Sequence, residues 1–317
     1  MKEVRIARYT PDKAKEWDMF VEESRNGTFL HRRDYMDYHA DRFTDHSLLF
    51  YRDEELAAIL PAHIKGELFC SHNGLTYGGL LLKKDITTEE VLAMFSMTLR
   101  HIAEETDATT FIYKPTPHIY HSYPCEEDLY ALFRNNARLT ERKVSSAIRL
   151  NMPLPISGRR RLTEAMRKRL HIVEDGDLAA FWSILEERLQ DKYGVSPVHS
   201  IEEIRILKSR FPENIILTYV TDEAGNILGG TLLFVTGNVV HMQYSTTTEE
   251  GRRVSALDYL YEHLINERFA DKEYFDFGIS VEEGGLYLNS GLIAYKERLG
   301  GRAVVYDTYA IDLKTPV

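Results

Sequence analysis

Carboxylate and hydroxyl side chains that could take part in proton transfer cluster near the C-terminal end of the chain. Asp276 begins the tripeptide Asp-Phe-Gly, Ser280 follows it, and a Glu-Glu-Gly-Gly segment occupies 282–285. In a protein kinase the tripeptide would bind magnesium, but no Gly-x-Gly-x-x-Gly-x-Val or His-Arg-Asp segment precedes it here. A kinase is therefore excluded. Asp276 is either a site residue or a hydrogen-bonding residue, and Glu283 is a candidate base on a flexible loop.

A run of cations near the middle of the chain could bind phosphate groups. Six Arg and Lys residues fall within 159–169, and Glu164 is the only acid among them. This cluster could hold tRNA or a nucleotide, and a solvated helix face is the alternative. His118, His121 and Cys125 lack the second close pair that zinc sites usually bring, so we expect an ordinary loop and no metal.

Composition restricts the class of protein. The 317 residues carry 39 Lys and Arg against 49 Asp and Glu, for a net charge of −10, and their number predicts two domains. An acidic surface disfavours non-specific binding of DNA or anionic membranes. Two cysteines are too few for a disulfide framework. The chain has neither an apolar N-terminal run nor an apolar stretch of about 18–20 residues, so we expect a cytoplasmic protein without stable membrane insertion.

Hydrophobic periodicity in the second half predicts the element order βααβββαβαβ. Ser200 and Glu203 form a capping-box pattern at the start of one helix, and two Gly-Asn pairs mark turns between three strands. The predicted elements are a strand at 170–173, helices at 177–192 and 200–211, strands at 215–221, 227–236 and 239–245, a helix at 255–269, a strand at 274–278, a helix at 288–299 and a strand at 303–313.

The first half shows nearly the same order. We predict a strand at 4–9, helices at 12–24 and 31–39, a meander of strands at 47–51, 56–64 and 68–82, a helix at 88–106, a strand at 111–114, a helix at 126–137 and a strand at 140–150. A Pro- and Gly-bearing joint at 153–158 then separates two domains, 1–157 and 158–317. The predicted class is α+β, with two tandem units, each a mixed, mostly antiparallel sheet flanked by helices.

This duplicated order resembles the GNAT acyltransferases, and in particular the FemABX-like branch, whose members include peptidoglycan aminoacyltransferases. Motif-level similarity is confined to the second half, at 181–185 with 197–203, at 276–280 and at 289–301. The resemblance implies two GNAT-like units and transfer of an acyl group to an amine. The carrier would be either an acyl-CoA such as acetyl-CoA or an aminoacyl-tRNA.

The resemblance also implies where the carrier binds. In a GNAT unit, backbone groups at a gap between two strands hold the carrier and the carbonyl, and a glycine-containing loop cradles its pyrophosphate. Here the corresponding loop, 246–256, lacks those glycines, and Glu249 and Glu250 lie beside its arginines, so a charge-balanced turn is the alternative. The departure favours the aminoacyl-tRNA branch. The implied carrier-binding residues are Gln243, Ser245, Arg252, Arg253 and Ser255.

Residues near the reacting groups follow from the same resemblance. Lys296, before Gly300-Gly301, would contact phosphate or the reacting ester, although a lysine near a helix C-terminus also interacts with the helix dipole. Tyr244 would orient the amine or protonate the leaving group, or else is a half-buried sheet aromatic. The candidate substrate-binding residues are His31, Arg33, Tyr77, His199, Ser280 and Asn289.

We therefore expect a cytoplasmic N-acyltransferase that moves an acetyl or aminoacyl group to the amine of a sugar-nucleotide or cell-envelope precursor. Direct attack by the amine needs no covalent enzyme intermediate. Lys296 would stabilise developing charge, Tyr244 would orient or protonate, and Asp276 or Glu283 would accept the amine proton. The alternative is a catalytically degenerate binding module that keeps the GNAT fold.

The arginine cluster gives a first testable prediction. If 159–169 binds a tRNA donor, tRNA affinity should fall steeply with rising salt, and neutralising Arg159, Arg160 and Arg161 should weaken it and flatten that dependence. Filter-binding titrations at several salt concentrations measure both effects. Binding that is absent, or that does not change with salt, would contradict the prediction.

Overall fold

A computed structural model describes residues 4–152 and 163–314 of the chain. The predicted domain boundary at 157/158 and the residues Arg159, Arg160 and Arg161 lie outside the described residues. The strands are β1 (Val4–Arg8), β2 (Thr44–Asp45), β3 (Leu48–Arg52), β4 (Glu55–Leu60), β5 (His63–Lys65), β6 (Leu68–Cys70), β7 (Leu81–Leu82), β8 (Thr110–Tyr113), β9 (Arg138–Arg149), β10 (His171–Glu174), β11 (Ile215–Thr221), β12 (Ile227–Val235), β13 (Val239–Thr247), β14 (Tyr274–Ile279), β15 (Val281–Glu282), β16 (Tyr287–Leu288) and β17 (Arg302–Asp312).

Helices occupy most of the segments between these strands. The α-helices are α1 (Ala14–Glu23), α2 (Arg33–Met36), α3 (Thr88–Glu105), α4 (Glu127–Arg134), α5 (Glu164–Arg167), α6 (Leu178–Tyr193), α7 (Ile201–Arg210), α8 (Glu249–Arg253), α9 (Ala256–His263) and α10 (Ser290–Arg298). Short 3-10 turns lie at Pro11–Lys13, Phe29–His31, Asp37–His39, His118–Tyr120 and Glu283–Gly285, and a π-helical turn at Leu264–Arg268 follows α9.

The chain divides into two compact units, and each is assembled from separate stretches of sequence. The first unit comprises Met1–Val144, Val281–Leu288 and Val304–Val317. The second unit comprises Ser145–Ser280 and Asn289–Ala303. With helices and largely antiparallel strands in both, the predicted α+β class is confirmed.

The first unit contains an antiparallel sheet in the order β1-β3-β4-β7. A second set of its strands runs β17-β8-β6-β5-β2, in which only β6 and β8 are parallel. Thr87 and Glu90 form a reciprocal capping box that starts α3, because each satisfies a backbone N–H that the first helical turn leaves without a partner. Fully buried aromatic side chains, among them Phe50, Phe95 and Phe111, fill the core.

The predicted meander of the first half is wrong. The expected strand 56–64 breaks at Pro61, which has no N–H to donate to a ladder, and its two parts become β4 and β5 in different sheets. The expected strand 68–82 also splits into β6 and β7. Positive φ angles at His72 (57°) and Gly79 (80°) turn the chain between them. The predicted helix 31–39 is also interrupted. The segment forms the short helix α2 with a 3-10 turn before it and another after it.

In the second unit the sheet order is β10-β11-β12-β13-β14-β9. All neighbours are antiparallel except β13 and β14, which are parallel and are therefore joined by a crossover through α8 and α9. The predicted meander of three strands is confirmed here, with Gly225 at a φ of 85° in the first turn. The predicted capping box is also confirmed: the Ser200 N–H donates to Glu203 Oε2 (2.7 Å), and the Glu203 N–H donates to Ser200 Oγ (3.2 Å).

One polar link crosses the core of the first unit. The Tyr113 hydroxyl donates to Asp128 Oδ2 (2.8 Å) and accepts from the Leu80 N–H (2.7 Å). The Leu129 N–H donates to the other oxygen of Asp128 (2.8 Å). Burial raises the pKa of Asp128 to about 7. Each polar group of this link has a partner, which is what makes its burial tolerable.

Removing the hydroxyl of Tyr113 tests this link. Tyr113→Phe leaves the Leu80 N–H without an acceptor and Asp128 Oδ2 without its donor, so we expect the free energy of unfolding to fall by about 1–3 kcal/mol. Tyr123→Phe is the matched control, because Tyr123 is 65% exposed and should unfold like the wild type. Urea titrations followed by circular dichroism measure both, and equal midpoints for Y113F and the wild type would contradict the prediction.

Candidate active site

Two neighbouring parallel strands of the second unit separate partway along their length. Strands β13 and β14 pair at three positions, and the last pair is His241 opposite Asp276. Beyond that pair β13 continues to Thr247 and β14 to Ile279 without further pairing to each other. A gap therefore opens at the carboxyl ends of the two strands. In parallel sheets this is the place where ligands usually bind.

A β-bulge lies on the β13 side of this gap. Tyr244 pairs with Leu232 and Met242 pairs with Leu233, so Gln243 is the extra residue with none opposite it on β12. A bulge leaves the extra residue outside the regular ladder and redirects its neighbours. The bulge therefore redirects the β13 backbone beside Gln243 and Ser245, which are predicted to bind the carrier.

Asp276 anchors the point where the strands separate. Its side chain is fully buried, and it accepts hydrogen bonds from Ser145 Oγ (2.5 Å) and the Gly278 N–H (3.0 Å), while its Oδ2 lies 2.9 Å from His241 Nδ1. These partners come from β9, β14 and β13. Hydrogen-bond partners on three strands compensate for the burial of this polar group. The Asp276 carboxyl group has no direct contact with solvent.

Lys296 lies on α10 and hydrogen-bonds to the backbone at the end of β14. Its ammonium donates to the carbonyl oxygens of Gly278 (2.7 Å) and Ile279 (2.8 Å). The residue is buried, and desolvation lowers the pKa of Lys296 to about 8, while the nearby charge of Asp276 acts in the opposite direction. These bonds go to strand carbonyls and not to the C-terminus of its own helix. The simple dipole role weighed from the sequence therefore does not describe this lysine.

Tyr244 and His199, predicted separately from the sequence, are in direct contact. The Tyr244 hydroxyl accepts from the His199 N–H (3.2 Å) and hydrogen-bonds to His199 Nδ1 (2.7 Å). The ring of Trp182 meets the Tyr244 ring edge-on at 5.2 Å. Burial raises the pKa of Tyr244, so the phenol keeps its proton and can donate it. Next along β13, Ser245 Oγ lies 2.8 Å from the Tyr261 hydroxyl.

The predicted loop at 246–256 is instead the end of β13 followed by a short helix. Thr248 accepts from the Gly251 N–H (3.0 Å) and starts the short helix α8, which carries Arg252 and Arg253. Both arginines pair with glutamates one turn earlier, Arg253 with Glu250 at 3.1 Å and Arg252 with Glu249 at 3.6 Å. Such i,i+3 pairs stabilise a helical turn and balance its charge.

Ser255 does not cap the helix that follows. Its φ is 57°, and its side chain makes no capping hydrogen bond to α9. Glu249 and Glu250 occupy the first turn of α8, where a phosphate group would otherwise meet the positive end of the helix dipole. The two glutamates and the uncapped start of α9 are features of the charge-balanced turn, the alternative to a phosphate site at this segment.

Predicted substrate residues in the first unit are held by contacts within that unit. The Thr28 N–H donates to His31 Nδ1 (3.0 Å), and burial lowers the pKa of His31 to about 3, so the ring is neutral. Arg33 is buried between Asp37 (2.5 Å) and Asp45 (2.9 Å).

Aromatic rings also pack against these two side chains. The Arg33 guanidinium lies 3.9 Å from the centroid of Tyr9, and the Tyr77 ring lies 5.6 Å from that of His31. Ordinary core packing explains the conformations of His31, Arg33 and Tyr77.

The remaining candidates lie near the C-terminal end of the chain. Glu283 is exposed, belongs to the first unit and has a φ of 51°. Asn289 caps α10 by accepting from the Leu292 N–H (3.1 Å). Ser280 is 1% exposed, and its Oγ has no hydrogen-bond partner among the described residues.

Two residues of the site were missed by the sequence analysis. Ser145 and His241 both bond to Asp276. His241 could have been noticed as the polar residue two positions before Gln243 on the predicted strand. Ser145 gives no such signal, because its role depends on the pairing of β9 with β14.

Within 4–152 and 163–314 no three His, Cys, Asp or Glu side chains are grouped so that they could hold a metal ion. None of the helices in these ranges combines the length and apolar character needed to span a bilayer. Cys70 and Cys125 are free, buried thiols.

Comparisons with known proteins identify a domain family for part of the chain and similar folds for the whole of it. Residues 157–297 match the family model of the acetyltransferase (GNAT) domain. No curated protein matches the chain in sequence. In fold, the chain is similar to the crystal structure of FemX, with a TM-score of 0.65 and 12% identity over 96% of both chains.

Two further structures are similar in fold. L-PGS from Bacillus licheniformis has a TM-score of 0.56 and 12% identity over 95% of this chain and 91% of that one. A tandem GNAT protein from the clavulanic acid biosynthesis pathway has a TM-score of 0.51 and 12% identity over 99% and 100% of the two chains. The predicted fold of tandem GNAT-like units is confirmed by these similarities, and residues 157–297 match a GNAT domain.

The buried ammonium of Lys296 makes stability depend on pH in a defined direction. Its folded-state pKa of about 8 lies below the value of 10.5 for an exposed lysine, so the folded protein releases this proton before the unfolded chain does. The free energy of unfolding of the wild type should therefore rise, relative to Lys296→Met, as pH increases from about 8 towards 10.5.

Lys272→Met is the matched control for this measurement. Lys272 also donates to two backbone carbonyls, Thr236 O (3.0 Å) and Gly237 O (3.1 Å), but is only half-buried. K272M should keep the pH dependence of the wild type in urea titrations. A constant difference between the wild type and K296M across this range would show that the Lys296 ammonium is not desolvated.

Proposed function

We propose that the protein is an N-acyltransferase that moves an acyl group from an activated carrier to the amine of a sugar-nucleotide or cell-envelope precursor. The observation that supports this most strongly is the gap between β13 and β14. At its β14 side the Lys296 ammonium donates hydrogen bonds to the carbonyl oxygens of Gly278 and Ile279. The GNAT match over 157–297 supports the same class of reaction.

In this proposal the gap provides the hydrogen-bond donors and the acid that acyl transfer needs. An ammonium has three N–H donors, and the Gly278 and Ile279 carbonyls accept two of those of Lys296. The third donor would stabilise negative charge that develops on the acyl oxygen or the carrier. Stabilisation of this kind in a buried site is commonly worth about 2.7–4 kcal/mol of activation free energy. The protonated phenol of Tyr244 would protonate the leaving group.

The charged side chains of α8 help to distinguish the two possible acyl carriers. The pairing of Arg252 and Arg253 with Glu249 and Glu250 leaves α8 close to neutral, and this disfavours a pyrophosphate at that position. We therefore infer that aminoacyl-tRNA is the donor, with acetyl-CoA as the alternative. Arg159, Arg160 and Arg161 are the candidate contacts for the tRNA backbone.

Ligand-induced stabilisation distinguishes the donors. We expect uncharged tRNA to raise the melting temperature of the full chain, with a stabilisation of about 2.7 kcal/mol at 100 times Kd, and CoA and acetyl-CoA to give little change. Transfer of a radiolabelled amino acid from aminoacyl-tRNA to a lysine amide should then be lost in Lys296→Met and retained in Lys272→Met. A shift with CoA alone would identify an acetyl-CoA enzyme, and no shift with any ligand would favour the degenerate binding module.

A further inference from the structure

The gap contains a titratable side chain that the roles above do not use. His241 is the last residue of β13 that pairs with β14, and it lies directly opposite Asp276. Its Nδ1 is 2.9 Å from Asp276 Oδ2, and its side chain keeps 14% of its surface exposed, whereas Asp276 has none. The imidazole therefore contacts a buried carboxyl group and is itself partly exposed at the pair where the two strands separate.

The surroundings of Asp276 determine which nitrogen of His241 carries the proton. The carboxylate also accepts from Ser145 Oγ and from the Gly278 N–H, and an ionised carboxylate has no proton to donate. His241 Nδ1 must then be the donor of the bond to Oδ2. In a neutral imidazole with its hydrogen on Nδ1, the lone pair that can accept a proton is on Nε2.

We propose that His241 is the proton acceptor for the attacking amine, and that Asp276 and Ser145 are positioning residues that hold its Nδ1–H tautomer. This inference rests on the proposed acyltransferase function. It takes the place of Asp276 as the base, since the Asp276 carboxyl group has no exposed surface and already accepts two hydrogen bonds.

Acyl transfer to an ammonium substrate moves two protons. The substrate ammonium gives one proton to His241 Nε2, and Asp276 stabilises the imidazolium that results. The neutral amine forms a C–N bond with the acyl carbonyl, and the bond between carbonyl carbon and carrier oxygen or sulfur breaks. The electron pair leaves with the carrier, which takes a proton from the Tyr244 phenol to become a hydroxyl or thiol, and the second amine proton restores the phenol.

The chain offers a matched control pair. His263 Nδ1 lies 2.8 Å from Glu267 Oε2, so it makes the same kind of contact with a carboxylate. Glu267 is 71% exposed, and the pair lies at the end of α9 rather than at the gap. His263→Gln should leave every property discussed here unchanged.

Nitrogen NMR of the full-length ¹⁵N-labelled chain tests the tautomer without any substrate. Long-range proton–nitrogen correlations, assigned by comparison with His241→Gln, should show the Nδ1–H form of His241 in the wild type. Asp276→Asn should convert this ring to a mixture or to the other tautomer, and it should leave His263 unchanged. A wild-type ring that carries its hydrogen on Nε2 would overturn the proposal.

A pair of amine probes tests the catalytic role. The side-chain amine of lysine amide is an ammonium ion at neutral pH and must lose a proton before it attacks, whereas methoxyamine is already neutral. With aminoacyl-tRNA or acetyl-CoA as donor, H241Q should slow transfer to lysine amide by about 10²–10⁴-fold and transfer to methoxyamine much less. H263Q should behave like the wild type.

The outcomes separate this proposal from the one on which it rests. Equal losses with both amines, or no loss with either, would overturn the role of His241 while acyltransferase activity stands. A wild type that transfers from neither donor to either amine would overturn the acyltransferase function itself. The NMR result would in that case still report whether Asp276 holds the His241 tautomer.

Discussion

The buried carboxylate of Asp276 is the constraint on which the second unit's site depends. A charge with no exposed surface persists only when hydrogen bonds replace its hydration. Here three donors do so, and they lie on β9, β13 and β14. The requirement to satisfy one side chain thus holds three strands in fixed positions at the point where two of them separate.

The gap follows from this anchor together with Lys296. Gly278, with a φ of 76°, turns β14 just beyond Asp276, and the pairing with β9 skips between Asp276 and Ile279. The carbonyl oxygens of Gly278 and Ile279 would be poorly satisfied in this irregular segment, and the ammonium of Lys296 binds both. One buried anion and one buried cation therefore determine the local backbone, and each lowers the cost of burying the other.

The sequence predicted much of the second unit because its signals are local. Gly-Asn turns and the Ser200–Glu203 box define element ends without reference to the rest of the fold. The first unit could not be predicted as well. The chain passes from one sheet to another at Pro61, so that β4 and β5, predicted as one strand, belong to different sheets. Lys296 and Tyr244 were found through family resemblance, whereas Ser145 and His241 depend on long-range strand register, which a single sequence does not reveal.

Hydrogen exchange is the most direct test of the claim that the acyl carrier binds in the gap between β13 and β14. Exchange of the full chain would be measured by mass spectrometry with and without uncharged tRNA, and with and without CoA. The account predicts that the active donor protects amides at 242–247 and 277–279, where the two strands no longer pair with each other. Protection confined to other segments, with these amides unchanged, would contradict it.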